Sequence, residues 1–337
     1  MSLSISVVVP VYSRTRELSE LLESILKLEV KPQEVVLCED CSPERAAIRA
    51  LVEKNKIRFD EQNITINYIE NDTNLGFDAN LRKCIESAHS DWTLVLGNDD
   101  LLLPNALSEL VSFIDKNPSV KIISRSFIRF IDDIEKPIGV SSISEHDAVY
   151  SADNTSSRFV FRACGFIGGL AVHSDFARCH STKKYDGGLY YQISLACHAF
   201  CSGGIGYIAM PIAGGRADNP PLFGMSANEN SVHVPGGYTA KGRAKMWASV
   251  LSIASDIGSK YGIDLLTDIR SELTVRQSFH IFEMNAGNTV MELNQLRSEL
   301  TNLGLFSHWL PKTLYLINII LGRYSKFFYS FARKVLQ

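Results

Sequence analysis

The first forty residues of this chain leave few choices of architecture. Ile5-Ser6-Val7-Val8-Val9-Pro10-Val11-Tyr12 is a β-branched run, Leu18, Leu21, Leu22, Ile25 and Leu26 recur at three- and four-residue spacing, and Glu34-Val35-Val36-Leu37-Cys38 is a second short apolar run. Strand, amphipathic helix and strand within about 35 residues predict a right-handed crossover unit with two parallel strands. Both strand ends then open on one edge of the sheet, where open α/β sheets place ligands. Ser13-Arg14-Thr15 offers a cap for the helix, and Pro32 breaks the chain ahead of the second strand.

The pattern continues with a helix near residues 43–54, a strand over Ile64–Ile69, a turn over Asn71–Phe77 and a helix from Asp78 to His89. Trp92-Thr93-Leu94-Val95-Leu96 follows and breaks off into Gly97-Asn98-Asp99-Asp100. A short apolar run bounded by Gly suits a strand buried on both faces, so the two carboxylates fall at its C-terminal end. Adjacent carboxylates attract a cation, and the hard ions Mg²⁺ and Mn²⁺ take oxygen ligands while leaving positions open for phosphates. Asn-Asp-Asp before a Leu-rich, proline-ended segment is also an ordinary way to leave a strand. The site reading gains weight because Tyr12 to Arg14, Asp40 and Asp99-Asp100 all fall at strand ends on one edge.

The chain has 337 residues, enough for one large α/β domain with an appendage or for two domains. With 45% hydrophobic residues and a net charge of −3, it has neither the composition of a disordered chain nor the basic balance of a nucleic-acid binder. Its 7 cysteines are odd in number and scattered, which points to a reducing cytoplasm rather than a disulfide framework. Cys38 and Cys41 form a CxxC, yet Cys38 belongs to an apolar strand and the spacing to Cys197 and Cys201 is not that of a zinc ribbon. The sequence opens on a β-rich run with no basic region or cleavage signal, so no secretory peptide is expected. No window reaches the roughly 18 uninterrupted apolar residues of a membrane span.

In combination, Val9-Pro10-Val11-Tyr12-Ser13-Arg14, Glu39-Asp40-Cys41-Ser42, Asn74-Leu75-Gly76 and Gly97-Asn98-Asp99-Asp100 resemble the nucleotide-sugar-binding half of the family 2 glycosyltransferases. The likeness covers roughly residues 4–115. It implies the GT-A fold, an α/β mixed sheet flanked by helices, here with a C-terminal helical extension. It further implies that Pro10, Val11 and Tyr12 line the base pocket, that Asp40 bonds the nucleobase, that Asp99 holds the ribose and that Asp100 ligates Mn²⁺ or Mg²⁺. Asn98 stands where the DxD motif of this family has its first Asp, which lowers the negative charge of the site but keeps the metal ligand. Transfer from a nucleotide diphosphate requires the leaving charge to be neutralised, and a divalent cation does that without proton transfer.

Past Pro104 a helix is expected to about Lys116, a strand over Lys121–Phe130, a loop or short hairpin over residues 133–150, and a helix from Ser151 to Arg162. Gly165-Phe166-Ile167-Gly168-Gly169-Leu170-Ala171-Val172 reads as a strand with glycines for close approach, and His173 at its end is placed on the acceptor side. In the family the next helix begins with an acidic catalytic base; Gln192 occupies that place here and cannot accept a proton. Asp186, a turn earlier, is the nearest carboxylate and the candidate base, ahead of His198 in an apolar helix. Gly214-Gly215-Arg216-Ala217-Asp218-Asn219 follows a further strand and is similar to the Arg-x-Asp-Asn of a subgroup that includes the O-antigen abequosyltransferases. Arg14 and Arg216 are expected to flank the phosphates, with Asp218 beside the donor and His233 as a possible extra ligand.

From Lys241 the chain reads as helical. Residues 305–337 carry Lys312, Arg323, Lys326, Arg333 and Lys334, no acidic residue, and Trp309, Tyr315, Tyr324, Phe327, Phe328, Tyr329 and Phe331 between them. Basic residues mixed with aromatics, too short of apolar residues to span, describe a helix lying on an anionic membrane, or else a core or oligomer contact with a solvated basic edge. The expected organisation is a catalytic domain over residues 1–240, split at 115 into a nucleotide-sugar half and an acceptor half, and a helical region over residues 241–337.

The expected activity is metal-dependent sugar transfer from a nucleotide-diphosphate donor to a lipid-linked oligosaccharide of bacterial O-antigen or surface polysaccharide, and the resemblance to the abequosyltransferases implies a deoxy or dideoxy hexose as the sugar. The expected location is cytoplasmic, on the inner face of the plasma membrane, with no nucleic-acid partner. Two alternatives stay open. A catalytically impaired nucleotide-sugar-binding subunit is favoured by Gln192 and Asn98. A nucleotidyltransferase is disfavoured because no Gly-rich basic loop follows the first strand.

Overall fold

The structure, a computed structural model, describes residues 3–217 and 219–336. In chain order its elements are β1 (Ile5–Val11), α1 (Thr15–Leu26), β2 (Glu34–Glu39), α2 (Arg45–Asp60), β3 (Thr65–Glu70), α3 (Phe77–Glu86), β4 (Trp92–Val95), β5 (Leu101–Leu102), α4 (Ala106–Lys116) and β6 (Ile122–Phe130). There follow β7 (Gly139–Ser141), β8 (Ala148–Tyr150), α5 (Arg158–Cys164), β9 (Leu170–His173), α6 (Ser174–Cys179), α7 (Tyr191–Ser202) and β10 (Ile205–Arg216). The remainder is helical: α8 (Ala240–Tyr261), α9 (Leu266–Met284), α10 (Val290–Asn302), α11 (Trp309–Leu321) and α12 (Ser325–Leu336).

The strands pair in the order β3-β2-β1-β4-β9-β6-β10-β5, with β7 on β6 and β8 on β10. The first four are parallel, as the crossover spacing requires, and β9 runs antiparallel between β4 and β6. The sheet is therefore mixed and flanked by helices, the GT-A architecture. Alternation along β1 sends Val7, Val9 and Val11 to the face covered by α1, α2 and α4, and Val8 to the face covered by α3, α7 and the later helices. Each such side chain is fully buried, worth roughly 1.5–3 kcal/mol apiece.

Two expectations for the middle of the chain are corrected. Residues 133–150 form no hairpin of their own, since β7 adds to β6 and β8 to β10. The helix expected from Ser151 starts only at Arg158. Asn154 closes a local turn first, its side chain accepting from Ser151 N at 2.9 Å and donating to the Val149 carbonyl at 3.0 Å, and such side-chain bonds compete with helix formation.

Thr289 and Glu292 form a capping box on α10, and Asn318 of α11 donates to the Phe282 carbonyl of α9 at 2.9 Å. Pro311, Leu314, Asn318, Ser325 and Tyr329 of the last helices face inward, whereas Trp309, Leu316, Ile320, Tyr324, Phe327 and Phe331 are exposed. No described helix is long and apolar enough to cross a membrane.

Candidate active site

Parallel pairing of β1, β2 and β4 brings three strand ends to one edge of the sheet. The loops that leave them, Tyr12–Arg14, Asp40 and Gly97–Asp100, open into a cavity of about 360 Å³. Pro10, Val11 and Tyr12 line it from β1 and its loop, and Gly165–Ile167, Gln192 and the 219–223 segment line the opposite wall.

The loop after β1 is held in a costly conformation. Ser13 and Arg14 both have positive φ, 53° and 62°, which costs on the order of 1–3 kcal/mol for each non-glycine residue. Asn98 restrains them by donating from Nδ2 to the Ser13 carbonyl at 2.8 Å and the Tyr12 carbonyl at 3.3 Å. An Asp at position 98 has no N–H to give, so the departure from DxD has a local mechanical cause. In that conformation Arg14 reaches Asp99 at 2.5 Å and also donates to the Pro220 carbonyl. Asn219 donates to the same Asp99 oxygen at 2.8 Å.

Asp40 is buried and accepts from Leu75 N at 2.8 Å, Gly76 N at 3.0 Å and Asn71 Nδ2 at 2.8 Å. Burial raises its pKa against the pull of those donors. The carboxylate thereby fixes the Asn74-Leu75-Gly76 turn on the rim of the cavity.

Asp100 is the least compensated carboxylate of the site. It is 3% exposed and accepts only long bonds from Gly97 N, 3.2 Å, and Arg216 N, 3.4 Å. Burial, then the neighbouring Asp99 charge, pushes its pKa up to about 8. Such a group gains most from a cation. Among the described residues there is no cluster of three or more His, Cys, Asp or Glu side chains able to hold a metal. The carboxylate of Asp100 fits a hard divalent ion that takes its other ligands from phosphate and water. Gly168 makes the approach possible, since a Cβ there would lie 2.3 Å from Asp100 Oδ2.

Three residues that hold the walls around the site carried no sequence signal strong enough to find them. Arg125 of β6 is buried, stacks 5.0 Å over Phe166 and donates to its carbonyl at 3.1 Å, and burial lowers its pKa to about 10. A charge inside an apolar strand was the only hint. Glu229 accepts from Phe77 N at 2.7 Å and Gly224 N at 2.9 Å, pinning the loop after β10 across the cavity. Asp78 at the start of α3 accepts from Leu189 N and Tyr191 N and so seats the first turn of α7, and burial raises its pKa to about 7.

Several predicted site residues lie elsewhere. Asp186 is gripped by both guanidinium nitrogens of Arg82, 2.8 Å from Nη2, and does not line the cavity. His173 pairs in register with Trp92 at the start of β4, because β9 is antiparallel; it sits at the opposite sheet edge from Asp99 and Asp100. Arg216 borders the cavity, but its guanidinium bonds Glu20, the Ile131 carbonyl at 2.7 Å and the Asp99 carbonyl at 3.2 Å, and stacks on Phe130. It grips the protein rather than presenting a free fork to a phosphate. His233 faces the Gly187 carbonyl at 3.3 Å. Gln192 does line the cavity, in the first turn of α7, donating to the Gly165 carbonyl at 3.1 Å. Asp218 lies outside the described residues.

The mixed sheet flanked by helices, with acidic residues in the loops at one sheet edge, defines the fold class as GT-A. Within that class, residues 6–165, just under half of the chain, match the model of Glycosyl transferase family 2. An uncharacterized glycosyltransferase of Haemophilus influenzae is 28% identical over 119 residues, 35% of this chain and 37% of its own length. The putative glycosyltransferase EpsE of Bacillus subtilis is 29% identical over 126 residues, 37% of this chain and 44% of its length. These two alignments thus span about two fifths of those relatives. Abequosyltransferase RfbV of Salmonella typhimurium is 25% identical over 227 residues, 64% of this chain and 67% of that protein. In fold, the chain is similar to residues 1–349 of S. aureus TarS in complex with UDP-GlcNAc, with a TM-score of 0.64 at 14% identity, covering 97% of this chain and 89% of that one.

Proposed function

We propose that this protein transfers a sugar from a nucleotide-diphosphate donor to a lipid-linked oligosaccharide in bacterial O-antigen or surface polysaccharide synthesis. One observation carries the reading: Asp40 after β2, and Asp99 and Asp100 after β4, all inside the segment that matches the family 2 model, meet around one cavity. The similarity to an abequosyltransferase supports a deoxy or dideoxy hexose as the sugar, and the UDP-GlcNAc complex of TarS supports a nucleotide-sugar in this fold.

Asp40 and the Asn74-Leu75-Gly76 turn bind the base, Asp99 with Arg14 holds the ribose and the adjoining phosphate, and Asp100 would hold Mn²⁺ or Mg²⁺. When bound, the ion supplies positive charge to the departing diphosphate. The chain itself positions two substrates and excludes water beneath the loop that Glu229 pins.

The exposed face of the last helices supports the membrane side of the reading. Trp309, Leu316, Ile320, Tyr324, Phe327 and Phe331 are exposed together with Lys312, Arg323 and Lys326, with no acidic residue from 305 onward, which suits an anionic leaflet on the cytoplasmic side.

A nucleotide-sugar hydrolysis assay with Mn²⁺ tests the activity. The wild type should release nucleoside diphosphate and Asp100→Ala should be at least about 10²-fold slower, the scale of a lost transition-state contact. The second reading, a binding subunit without catalysis, is favoured by Gln192 and by the capture of Asp186 by Arg82. It holds if the wild type binds the donor but never turns over.

A further inference from the structure

Two buried polar atoms beside the cavity lack hydrogen-bond partners among the described residues. Gln192 is 3% exposed, and with its Nε2 committed to the Gly165 carbonyl its Oε1 accepts from nothing. Arg243, near the start of α8, is 5% exposed; its guanidinium lies 3.9 Å from the centre of the Tyr238 ring and interacts with the Tyr190 side chain, Nη1 reaches Met246 Sδ at 3.9 Å, and Nη2 has no hydrogen-bond partner among the described residues. No Asp or Glu pairs with it among the described residues. Gln192, Tyr190, Tyr238 and Met246 all line the cavity, so the Arg243 guanidinium, in contact with the last three, stands behind its wall with Nη2 unpartnered.

A buried cation without a counter-charge costs several kcal/mol, and a buried orphan carbonyl about 1–3 kcal/mol. A chain that keeps both in one wall is completed by a ligand that brings an anionic oxygen and a hydroxyl. The neutral alternative, a packing Arg that merely covers Tyr238, leaves Nη2 and Gln192 Oε1 unexplained. Both residues belong to α7 and α8, beyond residue 165, whereas the carboxylates assigned to the donor lie at the ends of β2 and β4.

We infer that Arg243 and Gln192 form a subsite for a phosphate-bearing sugar acceptor, Arg243 Nη2 donating to a phosphate oxygen and Gln192 Oε1 accepting a hydrogen bond from a sugar hydroxyl. This rests on the glycosyltransferase reading and adds the chemical class of the acceptor. Access requires the segment bearing Tyr238 to shift, since both atoms are covered in the free protein.

The test is calorimetric titration of D-glucose 6-phosphate, with D-glucose as the neutral control, into protein saturated with UDP. Wild type should bind the phosphate ester at least tenfold more tightly than glucose, and Arg243→Gln should remove that advantage while Arg243→Lys retains part of it. UDP affinity should stay within twofold in both variants. Ligand-free Arg243→Met should melt no lower than wild type, because it removes an unpaired buried charge, whereas loss of a packing Arg would lower the melting temperature. The proposal is overturned if wild type does not prefer the phosphate ester, if Arg243→Gln binds it as wild type does, if Arg243→Met melts lower, or if Arg243→Gln loses UDP affinity, which would assign the guanidinium to the donor. A wild type that fails to bind UDP at all sinks the glycosyltransferase reading instead.

Discussion

Asn98 and its neighbours show how much of the site is held by single side chains. Both carbonyls that Asn98 restrains belong to a loop with two left-handed non-glycine residues. Asn98→Asp removes both donors and adds a third carboxylate beside Asp99 and Asp100. Urea unfolding should show a loss of about 1–3 kcal/mol, the cost of unsatisfied buried groups; a variant as stable as wild type would mean the loop holds itself. Asp186 makes the opposite case. Asp186→Asn should lower the melting temperature by breaking the pair with Arg82, yet leave kcat nearly unchanged, whereas loss of a general base would cost about 10²–10⁴-fold. At this scale the sequence was informative where polar residues interrupt apolar runs at strand ends, which is how Asp40, Asp99 and Asp100 came forward. It was silent on Glu229, whose partner Phe77 lies 152 positions away. It was silent on the hold that Glu20 and the Ile131 carbonyl have on the Arg216 guanidinium, since nothing local shows it.

The elements of the first half were legible for a physical reason: parallel strands joined by amphipathic helices carry two clean periodicities, and the crossover fixes their direction. The second half does not obey that logic. β9 enters antiparallel between β4 and β6, a direction no periodicity encodes, and this moved His173 to the far edge. The stack of half-buried His180 on buried His198, with ring centres 4.0 Å apart, joins the end of α6 to α7, and Tyr261 of α8 meets His198 Nδ1 at 3.2 Å. Burial, then His180, pushes His198 down to about 4, so the unfolded chain takes up a proton near pH 6.5 that the folded protein refuses. The contribution of this group to stability is full above pH 6.5 and is lost as pH falls toward 4. Denaturation curves across that window should be less pH-dependent in His198→Gln than in wild type; equal slopes would show that the ring titrates normally. On α11 and α12 the prediction is a surface property. Vesicles with anionic phosphatidylglycerol should float the protein, neutral phosphatidylcholine vesicles should not, and replacing Phe327 and Phe331 by Ser should abolish flotation. A wild type that stays in solution but sediments as a dimer would make that face an oligomer contact.

For the whole molecule, a mixed sheet supplies a rigid edge and the loops at that edge supply the chemistry. The strands ending in Asp40 and Asp100 are fixed by parallel pairing, whereas the wall formed by α7, α8 and the loop after β10 is assembled from contacts across more than a hundred positions. That division matches what the amino-acid pattern disclosed and what it hid. The central claim is that this edge binds a nucleoside diphosphate through a divalent ion. Thermal shift of the wild type and Asp100→Ala with UDP, CDP and GDP, each with and without Mn²⁺, tests it most directly. One nucleotide should stabilise the wild type only when Mn²⁺ is present, by about 2.7 kcal/mol at about a hundredfold its dissociation constant, and Asp100→Ala should not respond. Equal stabilisation of both proteins, or none with any nucleotide, would contradict it.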